Sequence, residues 1–301
     1  MTPFIFFVGT NGSGTTLHRA IFDSHPDVAI PGEGRFVAEL ASRRGVYEGE
    51  PFDVARFVAD ISGRWRFENW GLSREEAEAA LTSPTHVTDF PDAVRRLYHL
   101  YATLQGKTRY GDKTQSNIHD LVLLGDLFPE ARFVHVVRDG RDVALAHTDG
   151  KKVEQVAISW RRRVGEGREA GAALGPQRYI ESRYEELVED PEGSVRRLCD
   201  FLDLEYHPQM LEYHERADQI VGTTASPKRH TDIYLPPTKG LRNWRSELTP
   251  EQVGRFEALA GGVLSDLGYE RAFDRIPIGS RLAAWGRVGA DSVRYMARRA
   301  S

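Results

Sequence analysis

The sequence predicts an α/β protein in which a central parallel sheet of the P-loop type is flanked by helices. Two observations lead to this prediction. Residues 4–8 form a continuously apolar run that ends in a glycine-rich loop followed by a helical segment. A second apolar run, 132–137, also lies between helical segments. Strands that are apolar on both faces and alternate with helices are typical of a parallel sheet with right-handed crossovers.

The further elements follow in chain order. A helix is predicted over 16–24, a brief apolar run covers 28–30, and the segment 33–44 has a helical pattern. From 45 to 106, apolar residues recur at helical spacing, which predicts a helical insertion over the sheet. Beyond it we predict strands at 108–111, 132–137 and 178–184, and helices at 119–128, 153–171, 190–202 and 249–267.

The chain is predicted to form one domain over 1–270, followed by an arginine-rich tail over 271–301 that contains a C-terminal basic helix. Apolar residues of the tail, among them Leu282 and Trp285, favour packing of this helix on the domain. Contact with an anionic membrane surface is the less favoured alternative, and a homodimer is left open. Residues 222–243 are basic and aperiodic, as in loops that cover a ligand.

Composition excludes several classes of function. The chain has 301 residues and a net charge of −4, so nucleic acid is not expected as the main partner. The single cysteine, Cys199, excludes an intramolecular disulfide framework and fits a reducing compartment. The N-terminal apolar run is too short for a signal peptide or a membrane span. We therefore expect a cytoplasmic protein.

The loop after the first strand predicts an anion site. Gly9, Gly14, Thr15 and Thr16 reproduce the frame of a nucleoside-triphosphate loop, but the lysine of that frame is missing. Glycines let backbone N–H groups converge on an anion, and the following helix adds the positive end of its dipole. An anion other than ATP-Mg is therefore expected. The alternative is a glycine-rich corner without a ligand.

Three segments are expected to meet at this anion. In parallel sheets the ligand lies beyond the carboxyl ends of the strands. This rule places the loop after Val8, Lys113 and Arg138 on one side of the molecule. A bidentate arginine suits a phosphate dianion. A surface salt bridge is the alternative role for Arg138.

Five motifs in order carry a resemblance to a known family. The segments are GTNGSGTTL, AIPGEGRF, GDKTQSN, RFVHVVRDGRDVA and YEELVEDP, and the similarity covers residues 4 to about 250. The chain resembles sulfotransferases that use 3′-phosphoadenosine 5′-phosphosulfate (PAPS), in particular their bacterial and tyrosylprotein-type branch. The resemblance implies in-line transfer of a sulfuryl group from PAPS to a hydroxyl of a small-molecule, glycan or lipid acceptor, without a metal.

The resemblance also assigns cofactor-binding residues. Arg138 matches the arginine that holds the 3′-phosphate, and Tyr184 matches a tyrosine near the adenine, although a core aromatic is its alternative role. Lys239 lies in a segment similar to the last cofactor motif of the family. Ser226, Lys228 and Arg229 are further candidates in the loop before it. The phosphosulfate loop comprises Asn11, Gly12, Ser13, Gly14, Thr15 and Thr16.

Two residues match catalytic positions of the family. Glu33 lies where the tyrosylprotein branch has its base, and a carboxylate beside a reacting hydroxyl can take its proton. Lys113 matches a lysine near the transferred group, where a cation stabilises developing charge. The alternatives are a carboxylate that favours a helix dipole and a solvated turn lysine.

The chain departs from the family at two positions. Many relatives carry Arg or Lys where this chain has Gly12, and usually Ser where it has Ala146. Replacements for the missing cation are sought in Lys113, Thr15, the loop amides and Arg35. His147 and Thr148 are candidates to replace the missing hydroxyl.

Two rival functions stay open at this point. A P-loop kinase acting on a small molecule would use Lys113 near a triphosphate, and a nucleotide-binding module would bind without catalysis. For the acceptor, we expect one wall of the pocket in the helical insertion. The aromatic candidates for this wall are Trp65, Phe67, Trp70, Tyr98 and Tyr101.

Overall fold

The computed structural model describes residues 2–63, 67–147, 152–221 and 233–286. Five strands form one parallel sheet in the order β2-β3-β1-β4-β5, with β1 at its centre. The strands are β1 (Ile5–Gly9), β2 (Val28–Ala29), β3 (Arg109–Lys113), β4 (Arg132–Val137) and β5 (Tyr179–Arg183). The predicted P-loop-type α/β fold is confirmed.

Helices connect these strands and cover both faces of the sheet. Around the first three strands lie α1 (Thr15–Asp23), α2 (Phe36–Ala41), α3 (Val54–Ser62), α4 (Arg74–Thr82) and α5 (Phe90–Leu104). Around the last two lie α6 (Leu121–Leu127), α7 (Gly140–Leu145), α8 (Val153–Leu174), α9 (Tyr184–Glu189) and α10 (Pro191–Leu202). Then follow α11 (Ala217–Val221), α12 (Trp244–Glu247) and α13 (Pro250–Asp266). Short 3-10 helices cover Arg44–Val46, Glu68–Trp70, Gln115–His119 and Pro208–Arg216.

The alternation of side chains along β1 explains the two sides of the core. Successive residues of a strand point to opposite faces of its sheet. Accordingly, Phe4 and Phe6 pack in one apolar cluster with the helical insertion, whereas Ile5 and Phe7 pack in a second cluster with α1 and α10. Both faces of β1 are fully buried, which is why the run is continuously apolar.

Two predicted boundaries are wrong in a way that matters for the site. The strand predicted at 178–184 is one residue too long, because β5 ends at Arg183 and Tyr184 opens α9. The predicted strand at 108–111 extends to Lys113, so this lysine ends β3 at the carboxyl edge of the sheet. The helix α7, directly after Arg138 and Asp139, was not predicted.

The tail packs differently from the prediction. A final helix over 278–286 lies against α13, and the side chain of Ser280 is close to Gly254. Ser280 and Ala284 are buried, whereas Leu282 and Trp285 are exposed. The expected packing through the large apolar residues is therefore wrong for these two. Within the described residues, no helix is long and apolar enough to span a membrane. Contact with a membrane surface stays a prediction.

Candidate active site

The glycine-rich loop leads from the end of β1 into α1. Gly14 precedes the helix with a φ of 100°, and no side chain caps the first turn among the residues described. The amides of this turn therefore point toward the carboxyl edge of the sheet with the positive end of the helix dipole. The hydroxyl of Ser13 is buried and donates to the Thr10 carbonyl at 2.8 Å. Backbone amides, rather than this hydroxyl, are the donors left for an anion.

A buried histidine in α1 connects the loop to strand β5. His18 in α1 is within hydrogen-bond distance of the Gly14 carbonyl at 3.0 Å through Nδ1 and of the Ser182 hydroxyl at 2.8 Å through Nε2. Burial lowers the pKa of His18 to about 4, so the ring is neutral at pH 7. The histidine thus joins the loop to β5. Sequence analysis missed it because the partner Ser182 is 164 residues away.

Arg138 lies beside the loop with most of its donors unused. The side chain is 2% exposed, and its guanidinium stacks on Tyr184 with Cζ 4.0 Å from the ring centroid. Nη2 reaches the Arg242 carbonyl at 3.4 Å and Asp142 at 3.5 Å. In the part of the chain that the structure describes, Nε and Nη1 have no hydrogen-bond partner. Buried donors are normally satisfied, so these two fit a phosphate ligand.

Tyr184 contacts both the guanidinium of Arg138 and the loop at Gly14. A Cβ atom placed on Gly14 would lie 2.5 Å from Cδ2 of Tyr184, so only glycine fits between the loop and this ring. The tyrosine itself is buried in the core. Tyr184 lies under Arg138 and against the loop. The adenine role stays a prediction.

Glu33 and Lys113 meet although they are 80 residues apart in sequence. Lys113 Nζ lies 2.9 Å from Glu33 Oε1, and the two side chains are 7% and 11% exposed. Arg35 Nε lies 3.4 Å from Glu33 Oε2. Burial lowers the pKa of Lys113, while the Glu33 carboxylate acts in the opposite direction. The predicted base and the predicted cation therefore occupy one place at the carboxyl edge of the sheet.

A buried carboxylate holds the end of β3. Asp112 accepts hydrogen bonds from the hydroxyl groups of Tyr98 at 2.7 Å and Thr114 at 3.0 Å, and from Asn117 Nδ2 at 2.9 Å. Burial raises the pKa of Asp112 to about 6. This network fixes the residue next to Lys113. The position of Asp112 next to the predicted site lysine was the one sequence signal for this network. Its hydrogen-bond partners in α5 and after β3 carried no such signal.

A cavity of about 450 Å³ opens beside the loop. The loop contributes Thr10 and Asn11, Gln115 follows β3, and Trp160 and Arg163 come from α8. Gln115 Nε2 donates to the Thr15 hydroxyl at 3.1 Å, so the cavity borders the start of α1. The space therefore lies between the phosphate loop and the segment that follows Lys113.

The predicted aromatic wall of this pocket is wrong for the residues described. Phe67, Trp70 and Tyr98 are buried in the core with Phe36, and they do not line the cavity. Tyr101 packs at the edge of the same core. Trp65 lies outside the described residues. In its described residues, the insertion is thus a packed helical layer that does not line this cavity.

The remaining sequence candidates have different outcomes. Lys239 is exposed and pairs with Glu189 at 2.9 Å, so its cofactor role stays a prediction. Thr148, Ser226, Lys228 and Arg229 lie outside the described residues. His147 lines the cavity. Across the described ranges, no cluster of His, Cys, Asp or Glu side chains has the arrangement of a metal site.

Together, the fold and the site define a class of protein. The parallel sheet carries a phosphate loop without lysine, a separate buried arginine with free donors, and a carboxylate–lysine pair at the same edge. This is the arrangement of an enzyme that transfers a group from an anionic nucleotide. The family model described as "Sulfotransferase family" matches residues 3–208, and a second model, "Sulfotransferase domain", matches residues 158–268. The chain belongs to the sulfotransferase family and is a PAPS-dependent sulfotransferase.

Curated relatives agree with this assignment. Protein-tyrosine sulfotransferase A of Caenorhabditis elegans is 25% identical over 286 residues, which cover 89% of this chain and 68% of the relative. Protein-tyrosine sulfotransferase 1 of Danio rerio is 26% identical over 283 residues, covering 89% of this chain and 72% of the relative. The resemblance seen in the motifs is confirmed over most of the chain.

Solved structures show the same fold. The sulfotransferase domain of the curacin biosynthetic pathway has a TM-score of 0.63 and 18% identity, covering 90% of this chain and 99% of that domain. The sulfotransferase domain of the Synechococcus PCC 7002 olefin synthase has a TM-score of 0.61 and 21% identity, covering 89% and 95%.

Proposed function

We propose that the sulfuryl group passes directly to an acceptor hydroxyl, with Glu33 as the general base and Lys113 as the cation beside the reacting group. The observation that carries this proposal is the 2.9 Å contact between Lys113 Nζ and Glu33 Oε1 at the carboxyl edge of the sheet. A base must be within hydrogen-bond reach of the proton that it accepts. The cavity beside the loop, lined by Arg35 and Gln115, is the space that we propose for the acceptor.

The proposed step balances without a metal. The acceptor oxygen forms a bond to sulfur while the bond from sulfur to the 5′-phosphate oxygen breaks. The electron pair of the broken bond stays on the phosphate, so adenosine 3′,5′-bisphosphate (PAP) is released. The hydroxyl proton goes to the Glu33 carboxylate. Lys113 keeps its proton and stabilises the negative charge that develops on the oxygens.

The nucleotide is proposed to bind in two places. The amides at the start of α1, with the side chains of Thr15 and Thr16, bind the 5′-phosphosulfate. Arg138 binds the 3′-phosphate, supported by its two buried nitrogens that have no hydrogen-bond partner among the described residues. Tyr184 orients Arg138 by stacking at 4.0 Å.

For the acceptor we propose a phenol, either as a small molecule or as a tyrosine side chain. The cavity volume of about 450 Å³ suits one aromatic ring with its substituents. Val143, Val156 and Trp160 give the cavity a buried apolar wall. The names of the curated relatives, protein-tyrosine sulfotransferases, support the same acceptor chemistry.

Glu33→Gln tests the proposed base. The amide keeps an oxygen that accepts from Lys113 but does not take a proton, so we expect sulfuryl transfer to fall about 10²- to 10⁴-fold. Affinity for PAP should change less than about twofold, because the nucleotide is proposed to bind through the amides of α1 and through Arg138 rather than through Glu33. Transfer is measured with radiolabelled PAPS and a series of phenols, and affinity by calorimetry.

Glu39→Gln is the matched control, because Glu39 is an exposed carboxylate in the adjacent helix α2. Thermal unfolding with PAP and with ATP-Mg tests the nucleotide itself. A ligand at about 100 times its dissociation constant stabilises by about 2.7 kcal/mol. Stabilisation by ATP-Mg alone would favour the kinase, and full turnover of Glu33→Gln would remove Glu33 from the role of base.

A further inference from the structure

The phosphate loop of this chain carries no cationic side chain, and the structure explains why none fits. Gly12 has a φ of 93°, a conformation that side chains rarely adopt. A Cβ atom placed on Gly12 would lie 2.6 Å from the Cβ atom of Ala146 in the residue that follows α7. Gly12 and Ala146 are therefore in direct contact, and a lysine or arginine at position 12 would need the loop or α7 to move.

Sulfuryl transfer leaves negative charge on the oxygens around sulfur and on the departing phosphate, so a second cation besides Lys113 is expected near the loop. Lys113 is already bound to Glu33 at 2.9 Å. Two arginines, Arg35 and Arg163, line the same cavity as the loop residues Thr10 and Asn11. Arg35 is near enough to Arg163 for its charge to contribute to lowering the pKa of Arg163.

The two arginines differ in how their charge is compensated. Arg35 pairs with Glu33 at 3.4 Å and is half exposed. Arg163, on the cavity side of α8, has no ion pair among the described residues, and its Nε is buried without a hydrogen-bond partner. Burial lowers the pKa of Arg163, and the nearby Arg162 adds to this effect. Glu166, the acidic group near Arg163, is engaged by Arg162 at 3.7 Å and by His119.

We infer that Arg163 is the second cation of the active site and binds the sulfuryl end of the donor. This inference rests on the proposed function. As the bond from the acceptor oxygen to sulfur forms and the bond to the 5′-phosphate oxygen breaks, Arg163 donates hydrogen bonds to the oxygens on sulfur and keeps its protons. Arg163 lines the same cavity as the loop residues Thr10 and Asn11, and the next loop residue, Gly12, has no side chain to offer.

Arg163→Gln tests the inference by comparing two nucleotides. PAPS carries the sulfuryl group and PAP lacks it. For the variant we expect a dissociation constant for PAPS at least tenfold higher, with that for PAP changed less than twofold, both measured by calorimetry without acceptor. We also expect kcat to fall about 100-fold with charged and uncharged phenols alike. Arg163→Lys should recover part of the PAPS affinity, since it restores the charge.

Arg162→Gln is the matched control, because Arg162 is the neighbouring residue of the same helix and is 62% exposed. It should change neither dissociation constant. Two results would overturn the inference. One is equal weakening of PAPS and PAP in Arg163→Gln. The other is a loss confined to the KM of anionic acceptors, which would assign Arg163 to acceptor binding. If the wild type binds neither nucleotide, the proposed function itself fails, and this inference with it.

Discussion

Arg138 and Arg141 lie three residues apart and are equally buried, at 2% and 1% exposure, yet they are used in opposite ways. Arg141 donates to Asp139 at 2.7 and 3.0 Å, to Glu257 at 2.7 Å and to the Glu270 carbonyl at 2.8 Å. Arg138 has contacts of 3.4 and 3.5 Å and two nitrogens without partners in the described structure. Burial alone therefore does not distinguish a structural arginine from a ligand-binding one. The satisfaction of the donors does.

The surroundings of each arginine explain the difference. Arg141 joins α7 to α13, because it donates to Glu257 in α13. Glu257 also accepts from Arg271 at 3.0 Å and from the Ala272 amide at 2.8 Å. Trp244 covers the guanidinium of Arg141 at 3.7 Å. Arg138 instead stacks on Tyr184 at 4.0 Å, and its Nε and Nη1 are buried without a hydrogen-bond partner among the described residues. Arg141 is thus a structural residue of the core, whereas Arg138 keeps donors for the phosphate that we propose it binds.

The largest effect is expected for Arg141→Met. This change leaves Asp139 and Glu257 buried without their main partner, and the loss of one partner of a buried ion pair costs about 3–5 kcal/mol. The free energy of unfolding in urea, measured without nucleotide, should fall by this amount. Arg196→Met is the control, because Arg196 is an exposed arginine paired with Glu192 in α10, and it should cost less than about 1 kcal/mol. A similarly small cost for Arg141→Met would contradict the structural role of Arg141 and thus its contrast with Arg138.

Asp142, which pairs with Arg138 at 3.5 Å, should make the unfolding free energy depend on pH. Asp142 accepts from the Trp244 amide at 2.9 Å, and burial raises the pKa of Asp142 to about 6. A carboxyl group whose pKa is higher in the folded than in the unfolded state binds the proton more tightly when folded. Its contribution to stability is therefore lost as pH rises from the unfolded value near 4 through the folded value near 6.

Asp142→Asn removes this titration and keeps an oxygen for the Trp244 amide. The unfolding free energies of variant and wild type should agree near pH 4, and the variant should be more stable by about 3 kcal/mol at pH 7. Subtracting the two profiles cancels the other titrating groups. Asp274→Asn, at an exposed position, is the control for the substitution itself. A flat difference for Asp142→Asn would show that the contact with Arg138 offsets the effect of burial on this carboxylate.

Local sequence pattern was enough to predict the fold and the edge that carries the site. The apolar run, the glycine loop and the helix after it are contiguous, so their pattern alone places β1 and α1. The rule for parallel sheets then brought Lys113 and Arg138 to the loop. The resemblance supplied Glu33, and its 2.9 Å contact to Lys113 supports that assignment.

What the sequence did not predict depends on distant partners. Arg138 and Arg141 occupy one motif, and the residue that separates their roles, Glu257, is 116 positions from Arg141. The contact between Gly12 and Ala146 likewise joins two departures that look unrelated in the sequence. Tyr184 was assigned to the end of a strand, whereas it opens α9 directly after β5. Each of these depends on packing that local pattern does not encode.

The comparison is sharpest in Arg138→Gln, which should have the converse effect of Arg141→Met. Each charge-assisted hydrogen bond contributes about 1.5–3 kcal/mol. Loss of the two free donors should therefore weaken PAP at least 30-fold, or about 2 kcal/mol. Without nucleotide, the unfolding free energy should stay within about 1 kcal/mol of the wild type, because the replaced contacts are long. Adenosine 5′-monophosphate, which lacks the 3′-phosphate, is the control ligand and should bind both proteins equally. Two results would contradict this prediction: equal weakening of PAP and adenosine 5′-monophosphate binding, or a loss of stability like that of Arg141→Met. Either would mean that Nε and Nη1 of Arg138 do not bind the 3′-phosphate.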